Sequence, residues 1–295
     1  MNLLKFKTWY LVFSVVVLVP GLISLALFGL KLSIDFTGGS VSTYRFEQAV
    51  PEEELIAVFA EKEVDVDSVL HREENSIEVR TKVIDANKNE EIRLALEEKF
   101  ENSSQLAFAT VGPAIGRETT KNAFVALAWA SVGILLYIAY AFRKIPKPYS
   151  SLKFGASAIL AMLHDALLVV GAFSILGHFY GIEVDVLFIT AVLTVIGFSV
   201  HDSIVVFDRI RENLRKLPKS WDFEQVANYS IVETLNRSLA TSLTVVFTLL
   251  SLFLLGGETI RVFVLALLIG VVSGTYSSIF TATPILVLWE KHRKK

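Results

Sequence analysis

Residues 184–213, VDVLFITAVLTVIGFSVHDSIVVFDRIREN, hold an apolar run long enough to cross a bilayer. The run is interrupted at His201 and Asp202 and closes on an arginine-bearing exit at Asp208, Arg209 and Arg211. A span needs about 20 apolar residues. An aspartate inside hydrocarbon is costly unless it is paired, hydrated or protonated, so its default reading is an ion path, a proton relay or a catalytic group. The rest of the chain agrees with a membrane setting. Of its 295 residues 53% are hydrophobic, 21 are Phe and the mean hydropathy is +0.54; soluble domains sit near about 45–50% apolar. The net charge is -2, and the basic residues lie in short clusters beside apolar spans. That pattern excludes a nucleic-acid footprint. Cysteine is absent, which removes disulfides, zinc–thiolate sites and cysteine nucleophiles.

Six segments qualify as spans: Trp9–Leu30, Asn122–Phe142, Leu152–Gly177, Val184–Phe207, Ile231–Leu255 and Ile260–Trp289, the last tilted or broken near Pro284. The first exceeds the usual h-region of about 7–15 residues and lacks a cleavage site, so it reads as an uncleaved anchor. Lysine and arginine set the orientation. Lys5 and Lys7, then Arg143, Lys144, Lys147 and Lys153, crowd the first end and the second-to-third loop. Arg209, Arg211, Arg215, Lys216 and Lys219 fill the fourth-to-fifth loop, and Lys291, Arg293, Lys294 and Lys295 end the chain. Both termini are therefore expected in the cytoplasm. The fold class expected is membrane α-helical, with six transmembrane helices and a small extracytoplasmic ferredoxin-like α+β domain between helices 1 and 2. Residues 1–30 form the N-terminus and first helix, 31–121 the soluble domain, and 122–295 a five-helix membrane domain with a cytoplasmic loop at 208–230.

Within 31–121 the pattern reads strand 41–46, helix 51–62, strands 66–71 and 76–81, helix 89–100 and strand 106–111. This is the β-α-β-β-α-β order of a ferredoxin-like domain. Two glycine-bearing stretches flank it, SIDFTGG at 33–39 and VGPAIGRE at 111–118. Asp35, Gly38, Gly39, Gly112, Pro113 and Gly116 are the candidates for turns, or for a hinge, because Gly and Pro supply the special backbone angles both require. Turn chemistry is the simpler account.

Ionisable residues within spans are few: His164 and Asp165 in the third, His201 and Asp202 in the fourth, Arg237 in the fifth. At 1.5 Å per residue Asp202 and Arg237 both sit roughly 8–9 Å inside the cytoplasmic boundary. A pair between them is the economical way to keep both charges in the membrane, and protonating Asp202 would strip Arg237 of its counter-charge. Asp165 lies deeper and is a candidate second relay point, a helix cap, or a partner of His164. Thr190, Thr194, Gly197 and His201 make a stripe on the fourth span, with Ser199 and Ser203 beside Asp202. Arg237, Thr241, Thr244, Thr248 and Ser251 make another on the fifth. Such stripes carry water or simply join helices; ending at a buried charge, they favour a hydrated path. Gly270, Gly274 and Ser278 have the spacing of close helix packing. No nucleotide-binding, zinc-protease or serine-hydrolase motif is present, so no cofactor or metal is expected and an ion gradient must supply the energy.

The motifs SIDFTGG, VGPAIGRE, HD at 164–165, VIGFSVHDSIVVFDRIREN and ETLNRSLATSLT together closely resemble the SecF family, within the RND superfamily, over nearly the full length. The resemblance implies a non-enzymatic subunit that uses the proton-motive force to assist protein translocation and release. It implies a bacterial cytoplasmic (inner) membrane location, a SecD partner completing a twelve-span unit, and association with the SecYEG channel. YajC and YidC are further candidate partners, with exported unfolded polypeptide and membrane lipid. It also puts the family's essential carboxylate on Asp202 and its membrane arginine on Arg237. Family members often carry Asn where this chain has His201; a neutral hydrogen-bonding substitute is the favoured reading, and a share in proton traffic the other. The rivals are an RND-type exporter of lipid or small molecule, an intramembrane aspartyl protease using Asp165 and Asp202, and a passive scaffold.

Overall fold

The computed structural model describes residues 2–71, 75–100 and 102–291; the tail lysines and arginine at 293–295, counted above among the cytoplasmic charges, lie outside them. The chain divides into two compact units, residues 1–31 with 126–295, and residues 32–125.

Among the described residues the membrane unit holds, or in the case of the helix at Pro113–Ala141 shares, six helical segments long and apolar enough to span. They are α1 (Lys7–Phe28, after a 3₁₀ turn at Leu3–Phe6), α5 (Pro113–Ala141), α6 (Ser151–Tyr180), α7 (Val186–Lys216), α8 (Phe223–Leu255), and α9 (Glu258–Ser277) continued by α10 (Thr283–Lys291). Large apolar side chains such as Trp9, Trp129 and Phe247 are exposed on its outside. That is the surface a bilayer requires, since lipid tails solvate apolar groups and only backbone bonded within each segment is tolerated there. The expected break near Pro284 takes a specific form: residues Ser278–Ala282 make a π-helical turn between α9 and α10. Proline lacks an amide hydrogen, and a wider turn before it absorbs the interrupted ladder.

Close packing in this unit depends on small residues. A Cβ on Gly171 of α6 would fall 2.8 Å from the Gly21 Cα of α1, so the two backbones touch. Beside that crossing the Ser24 and Ser174 hydroxyls pair at 2.9 Å. A Cβ on Gly270 of α9 would meet Val195 Cγ2 at 2.0 Å, which draws α9 onto α7. At one end of the unit the aromatic rings of Phe142, Phe154 and Phe207 interlock the turn after α5 with α6 and α7. The same end gathers the basic clusters. Lys7 pairs with Glu224, Arg215 donates to the Lys144 carbonyl at 3.0 Å, and Lys153 donates to the Trp289 carbonyl at 2.8 Å.

The soluble unit has α2 (Ile34–Thr37), α3 (Glu52–Glu61) and α4 (Ala86–Lys99) with strands β1 (Gly39–Arg45), β2 (Val66–His71), β3 (Ser76–Thr81) and β4 (Ser104–Val111). The sheet order is β2-β3-β1-β4 and every pairing is antiparallel, the ferredoxin-like arrangement. Tyr44, Phe46, Leu55, Phe59, Ile92 and Leu96 close its core between the helices and one face of the sheet. Three consecutive glutamates, Glu52–Glu54, open α3, where the helix dipole favours negative charge. Asp85 caps α4 by accepting from the Lys88 amide at 2.7 Å.

The second span begins earlier than Asn122, because α5 starts at Pro113. Proline fits the first helical position, where its missing N–H would have no partner. Pro113 and Gly116 therefore lie in a helical first turn and not in a loop. Gly38 (φ 74) and Gly39 (φ 124) do occupy left-handed backbone. A Cβ on Gly116 would come within 3.0 Å of the Phe36 carbonyl oxygen and the Gly38 nitrogen. The two glycine stretches are thus packed backbone against backbone, with Asp35 inside the short α2 capped by Ser33.

Candidate functional site

The most developed polar cluster surrounds Asp165, whose side chain is 0% exposed. It sits on α6 and gathers donors from three helices. Ser199 of α7 donates to Oδ2 at 2.6 Å, Ser273 of α9 donates to Oδ1 at 2.6 Å, and Ser277, also on α9, donates to Oδ2. The ring Nδ1 of neighbouring His164 lies 3.0 Å from Oδ1. A carboxylate offers about four lone-pair directions, and here each has a partner. Gly274 makes this possible: a Cβ there would be 3.4 Å from the Ser199 Cα and 3.6 Å from Asp165 Oδ2, so the α9 backbone itself forms one wall. The small-residue spacing on the sixth span is therefore packing that also builds a site. Ser273 and Ser277 escaped the sequence reading, although two serines four residues apart on one helix face were its available signal.

Asp202 lies on α7 one turn beyond Ser199 and is 3% exposed. Its one hydrogen bond among the described residues comes from Ser242 of α8, at 3.5 Å, longer than a well-made O–H···O bond. The neighbouring hydroxyls of Ser203 and Ser238 are buried without a hydrogen-bond partner.

The expected Asp202–Arg237 pair does not form. Asp202 is buried, while Arg237 is exposed, and its guanidinium has no ion pair among the described residues. The reason is angular. Ser238 and Ser242 are the α8 positions turned toward α7, and Arg237, one residue earlier, is rotated about 100° away from that face. Asp202 bonds instead to Ser242, five residues beyond Arg237 on α8, and residue counts along two helices do not fix the direction in which a side chain points. His201 likewise points outward from α7 and makes no hydrogen bond among the described residues.

The threonine stripes also face outward. Thr190, Thr194, Thr241, Thr244 and Thr248 are exposed, and each hydroxyl donates to the carbonyl four residues earlier in its own helix. Among the described residues they line no internal path. Thr190, Thr194, Gly197 and His201 on α7, with Arg237 and the threonines of α8, form polar outer faces on adjacent helices. Among the described residues no hydrogen bond joins the two aspartates: Asp165 is held by Ser199, Ser273 and Ser277, and Asp202 bonds to Ser242.

At the basic end of the bundle α7 and α8 are joined by charge. Arg209 bonds Glu233 through two nitrogens, each at 2.7 Å, and Glu212 at 2.6 Å. Asn213 donates to Glu233 at 2.7 Å.

A helical bundle with caged ionisable groups inside and a ferredoxin-like unit inserted after its first span defines a multi-pass membrane protein with a polar core. The family described as protein export membrane protein SecD/SecF, C-terminal, matches residues 91–292, and the SecD/SecF GG motif matches residues 23–50. The chain belongs to the SecD/SecF family. It is 48% identical to the protein translocase subunit SecF of Thermobaculum terrenum, over 98% of this chain and 94% of that one. It is 35% identical to the protein translocase subunit SecDF of Bacillus subtilis, over 98% of this chain and 38% of that protein. The crystal structure of SecDF from Thermus thermophilus, described as a translocon-associated membrane protein, superposes with a TM-score of 0.82 at 33% identity, over 99% of this chain. The chain spans 39% of that SecDF chain, and nearly the whole of its SecF relatives.

Proposed function

We propose that this chain is the SecF-type subunit of a bacterial protein-export machine in the cytoplasmic membrane, with both termini and the α7–α8 connection inside and residues 32–125 outside. It works beside a SecD partner and a SecYEG-type channel, and draws on the proton-motive force to move and release unfolded exported polypeptide. YajC and YidC are further partners on the family resemblance alone. Relatives named protein translocase subunit support the role, and the SecDF relatives, which carry a much longer chain, support the SecD partnership.

The observation that carries the coupling reading is Asp202, a carboxylate buried in a membrane helix and held by a single long hydrogen bond. A group so sparsely tied changes its protonation with little to rebuild around it. Arg237 supports a shared site. An exposed guanidinium in a span, with hydroxyl-bearing faces beside it, needs water or a polar partner surface next to it, since lipid offers it no counter-charge. A SecD half with its own polar helix is the fitting occupant, and the ion path then runs between the two halves with His201 at its edge. Asp165 in this scheme holds helices in place and does not exchange protons.

The test is export into energised membranes by Asp202→Asn and Arg237→Met variants, with the gradient present and then collapsed. Wild type should lose its advantage on collapse, and both variants should match collapsed wild type throughout. Full gradient response in Asp202→Asn would remove Asp202 from the coupling step.

A further inference from the structure

Between α7 and α8, on the outer side of the bundle, lies an open cavity of about 370 Å³. Asp208, Arg209, Glu212 and Glu233 line its mouth, and Arg237 and Thr234 its inner part. We infer that this cavity is a water-filled vestibule reaching from the cytoplasm to Arg237, closed toward the α7–α8 seam by the Arg209–Glu233 bridge. The inference deepens the coupling reading above by assigning the cytoplasmic access route to a site within this chain.

Three observations carry it. First, a cavity walled by three carboxylates and two guanidiniums is not filled by hydrocarbon, which would leave those groups unsolvated. Its volume holds several waters, and polar partners for them are at hand. Second, the α7–α8 contact changes character along its length. At the cytoplasmic end it is tight: the two-pronged Arg209–Glu233 contact at 2.7 Å is reinforced by Asn213, which reaches both Glu233 and the Ser230 hydroxyl, the latter at 3.0 Å. Deeper in, it is loose. Asp202 and Ser242 are 3.5 Å apart, and the buried Ser203 and Ser238 hydroxyls are unpaired. Unpaired buried hydroxyls are costly in a membrane interior, so the loose segment gains from water whenever the latch lets it in. Third, Glu233 lies one helical turn from Arg237 on α8, so the latch and the inner end of the cavity belong to one rigid segment. Opening the latch widens the cavity beside Arg237 and the seam beside Asp202 together.

The chain has no cysteine, so single substitutions give an unambiguous accessibility test in the assembled complex. In inverted membrane vesicles, Val205→Cys and Ile204→Cys, whose positions line the cavity, should react with a charged, membrane-impermeant methanethiosulfonate. They should react about tenfold or more faster than Leu239→Cys, because a thiol in lipid stays protonated and unreactive. Leu239 is an exposed α8 residue at nearly the depth of Arg237 but outside the cavity. Adding Arg209→Gln or Glu233→Gln should speed the Val205→Cys reaction about fivefold, the effect of losing one part-exposed ion pair. The exchange of Arg209→Glu with Glu233→Arg should slow it again. Equal rates at Val205, Ile204 and Leu239 would overturn the vestibule, and unchanged rates in both latch variants would overturn the latch. Neither result bears on Asp202, whose role stands or falls on the export assay.

Discussion

Replacing Asp165 by Leu removes three bonds between helices, those from Ser199, Ser273 and Ser277. Hydrogen bonds between membrane helices average about 0.6 kcal/mol, and bonds to a charged group run about twice as strong as neutral ones. The three together are then worth about 3–4 kcal/mol. The freed serines recover part of this by bonding to carbonyls of their own helices, as Thr244 and Thr248 already do. The expected net loss is about 2–3 kcal/mol. Asp165→Asn keeps one strong acceptor and gains an amide that can donate to rotated serine hydroxyls, so its loss should be about 1 kcal/mol. The assay is reversible unfolding of the purified protein in mixed micelles titrated with dodecyl sulfate. Export measured in parallel separates a holding role from a proton-carrying one: the Asn variant should keep most of its gradient response. If Asn and Leu destabilise equally, or Leu costs less than about 0.5 kcal/mol, the cage does not hold these helices as argued. A stable Asn variant without gradient response would turn Asp165 into a proton carrier.

Gly171→Leu should force α1 away from α6, since even a Cβ there lies 2.8 Å from the Gly21 Cα; loss of cross-linking between cysteines placed at positions 24 and 174 would report it, and retained cross-linking would contradict the close crossing. Gly38→Ala puts a side chain on backbone at φ 74 with Pro113 only 3.1 Å away, and should lower the stability of the soluble unit by about 1–2 kcal/mol, read by pulse proteolysis of the full chain. Burial pushes the Tyr44 phenol up from 10.0 to about 12. The folded state thus favours the neutral phenol, so its contribution to stability is intact below pH 10 and lost as pH climbs toward 12. Alkaline unfolding of the soluble unit should flatten across that window in Tyr44→Phe, and an unchanged curve would assign the loss to other groups.

The amino-acid sequence carries, before any fold is known, the number of spans, the clustering of basic charge at their ends and the β-α-β-β-α-β order of the soluble unit. Hydropathy, charge placement and strand–helix alternation are local properties, summed over many residues. It also picked out Asp165, Asp202 and Arg237, because an ionisable group in an apolar run is conspicuous without any fold. Which side chains meet is set by how the helices pack. A helix turns about 100° per residue, so Arg237 and Ser238 face different neighbours although they share a depth. The same rotation sent the threonines outward and brought in Ser273 and Ser277, two residues no different in kind from the other serines of the chain. Their closeness to Asp165 depends on Gly270 and Gly274 letting two backbones approach, a contact between segments about 75–110 residues apart that no local pattern records.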